Sequence, residues 1–265
     1  MDNLRIVVVV PSGTHWLADF GTSLISMIGY FTNTPVKGMR TESIRVLNIK
    51  GSLLSTSRLN GLKAAKSLDA SHLLYIDSDH TFPPDMLHKL LRWKKDVIAA
   101  NCCTKSIPSM TTGRLFNPDD PQGTPVFSDE EKRGTIEKVW RIGTGVMLLS
   151  KKAYMQIPHS AFHIKYMPDA DTYQGEDWTL CEALERAGVP IYVDHGLSIE
   201  VGHVGNFTYT HDYVGQIIRE EINESDGSEA SSSGVHGAAS CHFGGDISRD
   251  CERRPGEAER ILVGV

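Results

Sequence analysis

Four short stretches carry residue types that can do chemistry together. Asp77-Ser78-Asp79-His80 follows the wholly apolar run 73–76, Leu-Leu-Tyr-Ile, which has the pattern of a strand covered on both faces. In open α/β sheets ligands bind outside the carboxyl ends of strands, and alternate residues of an extended segment point the same way. The carboxylates of Asp77 and Asp79 can therefore face one ligand. Two like charges that close together are costly unless a cation lies between them. A hard divalent ion, Mg2+ or Mn2+, accounts for the pair, because it takes carboxylate oxygen and carries phosphate on its other side. The same residues also suit a strand running into an Asx-rich turn.

Three further stretches follow. Gly175-Glu176-Asp177-Trp178 places two acids where a helix should open. They complement the helix dipole there, and an ionised, solvent-facing carboxylate at that place can serve as a general base. Gly202-His203-Val204-Gly205 puts a histidine between glycines that permit close approach to a ligand, although a lone histidine is more often structural. Gly143-Thr144-Gly145, beside Trp140 and Arg141, offers bare backbone that can lie against a substrate or simply pack tightly.

The elements that must position these residues read as an α/β order. Residues 4–10 form a β-branched first strand, ended by Pro11-Ser12-Gly13, and 14–30 have helix spacing. Strand 44–49, helix 55–69, strand 73–76, a helix started by Pro83-Pro84-Asp85, and strand 96–101 continue the pattern. That order implies a mostly parallel sheet flanked by helices. Residues 102–138 are polar and rich in Pro, Gly and Asp, the make-up of a functional or mobile loop, which the resemblance described below implies to be a lid or acceptor loop. A strand over 140–150, a short helix capped by Ser150, a helix over 176–187, strands 191–194 and 197–201, and a last helix 213–223 complete the domain. From 224 to 265 the composition turns to Ser, Gly, Ala, Glu and Arg, which predicts a disordered tail.

Composition narrows the function classes. A net charge of -6 argues against a surface made for nonspecific nucleic-acid binding. Five cysteines without paired spacing give neither a zinc site nor a disulfide framework, and with no visible signal peptide or membrane-length apolar run a reducing cytoplasm fits best.

Taken in order, the four stretches resemble the GT-A glycosyltransferases, particularly the family 2-like members, over roughly residues 4–215. Asp77-Ser78-Asp79 resembles that family's Asp-x-Asp motif, Gly143-Thr144-Gly145 its glycine loop, Glu176-Asp177 its x-Glu-Asp motif, and His203 its C-terminal metal histidine. Arg58, in Ser57-Arg58-Leu59-Asn60, matches an arginine that members often carry before the first motif. The resemblance implies a GT-A catalytic domain over 1–223, with a Rossmann-like sheet. It implies a nucleoside-diphosphate sugar donor, UDP by default, held by Pro11, Ser12, Arg58, Asp77, Ser78 and Asp79. Mn2+ or Mg2+ would be bound by Asp79 and His203, with Asp77 on the ion, a metal-bound water or the ribose. Asp177 would be the base of an inverting transfer, and Gly143, Thr144, Gly145, Glu176 and Trp178 would line the acceptor side. The acceptor, whether saccharide, protein, lipid carrier or modified nucleobase, stays open, with a soluble one favoured over a bilayer lipid.

Two rivals stand beside this reading. Asp77-Ser78-Asp79-His80-Thr81 also satisfies the Asp-x-Asp-x-Thr nucleophile motif of haloacid-dehalogenase phosphohydrolases, with Asp77 as nucleophile. That class needs a later diacid ending an apolar strand. Asp119-Asp120 follows a turn instead, and Glu176-Asp177 opens a helix. A catalytically dead nucleotide-sugar-binding protein is the other, against which the joint presence of metal ligands and base speaks.

Overall fold

The computed structural model describes residues 2–168, 171–205 and 208–214. The chain divides into a unit of residues 1–223 and a second of 224–265. The expected tail and most of the expected last helix lie outside the described residues.

Eleven residues, Asp2–Ser12, form strand β1, followed by helix α1 (Ala18–Asn33), β2 (Met39–Lys50), α2 (Leu54–Ser67) and β3 (His72–Ile76). Next come a short strand β4 (His80–Thr81), α3 (Met86–Arg92) and β5 (Val97–Ala99). Short strands β6 (Arg114–Leu115) and β7 (Thr124–Pro125) pair with each other, before β8 (Ile136–Val139), β9 (Val146–Ser150) and α4 (Lys151–Met155). A hairpin of β10 (Lys165–Met167) and β11 (Thr172–Gln174) leads into α5 (Glu176–Arg186), β12 (Ile191–Asp194) and α6 (His195–Glu200). Strands β13 (Gly202–Val204) and β14 (Thr208–Tyr209) follow.

Seven strands make the central sheet, in the order β2-β1-β3-β9-β5-β12-β8. Strand β1 is parallel to β2 and β3, and β12 is parallel to β5. Strand β9 is antiparallel to both β3 and β5, and β8 is antiparallel to β12. The sheet is thus mostly parallel, as expected, but β9 is inserted between β3 and β5 and reversed.

Period-two alternation splits the apolar residues of each strand between two layers. Val7, Val9, Leu73, Tyr75, Met147 and Leu149 pack under Leu62 and Ala65 of α2, Tyr154 of α4, and Leu180 and Leu184 of α5. Val8, Val10, Leu74, Ile76, Val146 and Leu148 face Phe20, Leu24 and Met27 of α1 and Met86, Leu90 and Leu91 of α3. Each fully buried Leu, Ile, Val or Phe side chain contributes about 1.5–3 kcal/mol, so the alternation fixes which way Asp77 leaves β3.

Ser150 caps α4 as expected, its hydroxyl accepting from the Ala153 amide at 3.2 Å. The expected strand over 197–201 is instead helix α6. Asp194, fully buried, accepts from the Leu197 amide at 3.1 Å and so starts a helix. Residues 102–138 are not a free lid. The Asn101 side chain donates to the Val126 carbonyl and accepts from the Gly113 amide, both at 2.7 Å, which fastens the segment to the end of β5.

Candidate functional site

A small three-stranded sheet, β14-β13-β4, stands at the carboxyl end of β3. Its antiparallel register sets His80 opposite His203, and the two imidazoles stack with centroids 4.2 Å apart and planes 15° from parallel. The Asp79 carbonyl accepts from the Val204 amide at 2.7 Å, which holds the Asp79 backbone against β13. A Cβ at Gly202 would lie 2.6 Å from Thr81 Oγ1 and 2.5 Å from Thr208 Cγ2, so a residue with a side chain would force the strands apart there.

Asp79, His80 and His203 bring one ligand atom each within 4.8 Å of one another. His203 Nε2 lies 3.4 Å from Asp79 Oδ2, and His80 Nδ1 lies 3.2 Å from Asp79 Oδ1. His203 donates its Nδ1 hydrogen to the Cys103 carbonyl at 2.7 Å, which turns Nε2 toward Asp79. Beyond that approach of His80 to Asp79, Asp79 Oδ1 and both nitrogens of His80 are buried with no hydrogen-bond partner among the described residues. The residues fit a divalent metal. Burial alone would push the Asp79 carboxyl up, but His203, His80 and Lys105 outweigh it and hold it well below the usual carboxylate range.

The cleft beside this cluster measures about 240 Å3 and is lined by Pro11 and Ser12 at the end of β1 and Gly13 after it, by Gly51, Ser52 and Ser57, and by Asp77, Ser78, Asp79 and His203. Six residues expected at the donor site or the metal (Pro11, Ser12, Asp77, Ser78, Asp79 and His203) therefore meet in one place. A larger hollow of about 600 Å3 lies along Leu115, Phe116, Trp140, Val189 and Pro190. Its charged residues are Lys138 and Glu185, and none of the expected carboxylates or metal ligands lines it.

Arg58 joins the cleft to α5. Its side chain is only 3% exposed, with one nitrogen, Nη2, 3.0 Å from both oxygens of Asp77, while Nη1 is paired with Glu176. Burial would lower its pKa, yet Asp77, Glu176 and Asp177 together raise it. Asp177 accepts from the Trp178 amide at 2.8 Å and folds back over the bare Gly175, where a Cβ would meet its Oδ1 at 2.9 Å. Desolvation raises the Asp177 pKa, Arg58 pulls it down, and Glu176 adds to the rise.

Several expected roles change with these positions. Asp77 is outside the cluster of Asp79, His80 and His203 and is engaged by Arg58. Glu176 is buried on Arg58 rather than facing an acceptor. Gly143, Thr144 and Gly145 are buried. The Gly145 carbonyl accepts from the Asp77 amide at 2.9 Å, and a Cβ there would lie 2.8 Å from the His80 ring, so this stretch packs behind Asp77 and His80. Trp178 meets Trp140 edge-on, centroids 6.0 Å apart. Sequence reasoning missed His80 and Lys105. His80 had a signal, since it directly follows the diacid; Lys105 lies in a stretch without periodicity and had none.

The chain matches no protein-family model and no curated protein. A solved structure, A197 from STIV, is similar over 79% of this chain and 92% of that one, with a TM-score of 0.49 and 16% identity, a level that carries no argument. Among the described residues no helix is long and apolar enough to cross a membrane.

Proposed function

We propose that the protein is a metal-dependent glycosyltransferase of GT-A type, moving a sugar from a nucleoside-diphosphate donor to an acceptor hydroxyl. The observation that carries this reading is the convergence of Pro11, Ser12, Asp77, Ser78, Asp79 and His203 on one cleft at the carboxyl ends of β1 and β3. Crevices there are where open α/β sheets bind nucleotides. Asp79, His80 and His203 would hold the ion, Mn2+ or Mg2+. An ion held by these three residues would supply positive charge against the leaving diphosphate. Pro11 and Ser12 border the nucleobase, and Asp77, oriented by Arg58, faces the ribose. Asp177 takes the acceptor proton as the oxygen attacks the anomeric carbon, which gives inversion. The phosphohydrolase reading loses ground because the would-be nucleophile Asp77 has both oxygens held by a buried guanidinium.

Phosphorus NMR of the protein with Mn2+ and UDP- or GDP-hexoses separates the two. Release of nucleoside diphosphate without orthophosphate is the expected result, with water or an added saccharide as acceptor. Orthophosphate released from a phosphomonoester, and lost in Asp77→Asn, would establish the hydrolase instead.

A further inference from the structure

Lys105 belongs to no expected motif, yet it reaches the centre of the site from the segment after β5. Its ammonium donates to Asp79 Oδ2 at 2.6 Å, the oxygen that also faces His203 Nε2 at 3.4 Å. Its aliphatic stem lies along Gly205, where an added Cβ would be 3.3 Å from Lys105 Cδ. The same Cβ would be 3.0 Å from Tyr209 Cε2, so the second glycine of Gly202-His203-Val204-Gly205 makes room for both the tyrosine ring and this lysine. Lys105 is 36% exposed and Asp79 32%, so the pair is open to solvent on one side and the ammonium has somewhere to go.

A lysine ammonium and a divalent ion cannot both occupy the same side of one carboxylate oxygen without strong repulsion. Resting on the proposed function, we propose that Lys105 is a displaceable counter-charge. It holds the cation's place on Asp79 in the metal-free protein, leaves that oxygen when a divalent ion binds, and then pairs with the donor's diphosphate. Lysine suits the part better than arginine, because its charge is compact and its four-carbon stem is flexible. The exchange has two consequences. Lys105 opposes binding of the metal alone, and the diphosphate, by taking up the released ammonium, relieves that opposition. Metal and nucleotide therefore strengthen each other's binding, and by linkage the coupling is reciprocal.

Titration of Mn2+ against the full chain, followed by the spin-resonance signal of free Mn2+, tests this with and without UDP. In Lys105→Met, Mn2+ alone is expected to bind about tenfold more tightly, between the fully screened and surface limits for one unit charge at this range. The factor by which UDP improves Mn2+ affinity is expected to shrink by about the same amount. Matching thermal melts of the two proteins would show that the variant is folded. Equal or weaker Mn2+ binding by Lys105→Met overturns the counter-charge role and leaves the metal site standing, and an undiminished UDP effect overturns the hand-over to diphosphate. Failure of both proteins to bind Mn2+ overturns the metal site itself, and the role of Lys105 with it.

Discussion

Replacing Arg58 by methionine is expected to destabilise the folded unit by about 3–5 kcal/mol, the range for removing one partner of a buried ion pair. The guanidinium is almost fully enclosed, and it answers Asp77 at the end of β3 and Glu176 at the start of α5. Methionine fills much of the volume and leaves two carboxylates near each other with no cation between them. At this size each kcal/mol moves the melting temperature by about 2–4 °C, so a fall of roughly 6–20 °C is expected. Urea and thermal unfolding measure it. Lysine at this position keeps the charge but not the planar fork that spans two acids, and is expected to recover only part of the loss. A change below about 1 kcal/mol, the scale of an exposed pair, would mean that the triad is not a buried one.

Asp177→Asn is expected to lower turnover about 10²–10⁴-fold, the span of general-base contributions, with metal-dependent nucleotide binding preserved. The fold should survive, since the side-chain carbonyl of the replacement can still accept from the Trp178 amide. The base must be ionised to work, and burial raises its pKa above the ordinary carboxylate value. Activity should therefore fall on the acid side at a pH above that value. Arg58 pulls the same pKa down, so in an Arg58→Lys protein, where the charge sits less closely, the acid limb should move to higher pH. Loss of nucleotide binding in Asp177→Asn, with turnover per bound donor intact, would remove Asp177 from the role of base.

What was legible in the sequence was mostly what local periodicity encodes. The β-branched run of β1, the apolar run of β3 and the stripe of α2 point to an α/β sheet, and the end of β3 points to Asp77 and Asp79. Register was not legible. The reversed strand β9 lies between β3 and β5 because of long-range pairing, Leu73 with Leu149 and Ile98 with Leu148, that no local pattern announces. The same limit hid His80, whose role depends on standing opposite His203 in a distant part of the chain. Gly145 and Gly205 signalled close approach, and the protein groups that approach them are the His80 ring at the first and the Tyr209 ring and Lys105 stem at the second. Asp194 hid a helix start inside what looks like continued strand, because a capping side chain outweighs a β-leaning run of apolar residues.

The central claim is that Asp79, with His80 and His203, holds a divalent ion that carries a nucleoside diphosphate into the cleft. Calorimetric titration of UDP and GDP into the protein, with and without Mn2+, on the unchanged chain and on Asp79→Ala, tests it most directly. The expected result is nucleotide binding that requires Mn2+ and weakens at least about 100-fold in Asp79→Ala, more than the roughly 10–100-fold seen when only an outer-shell partner of a metal is lost. Binding of equal strength with and without Mn2+, or unaltered in Asp79→Ala, would contradict it.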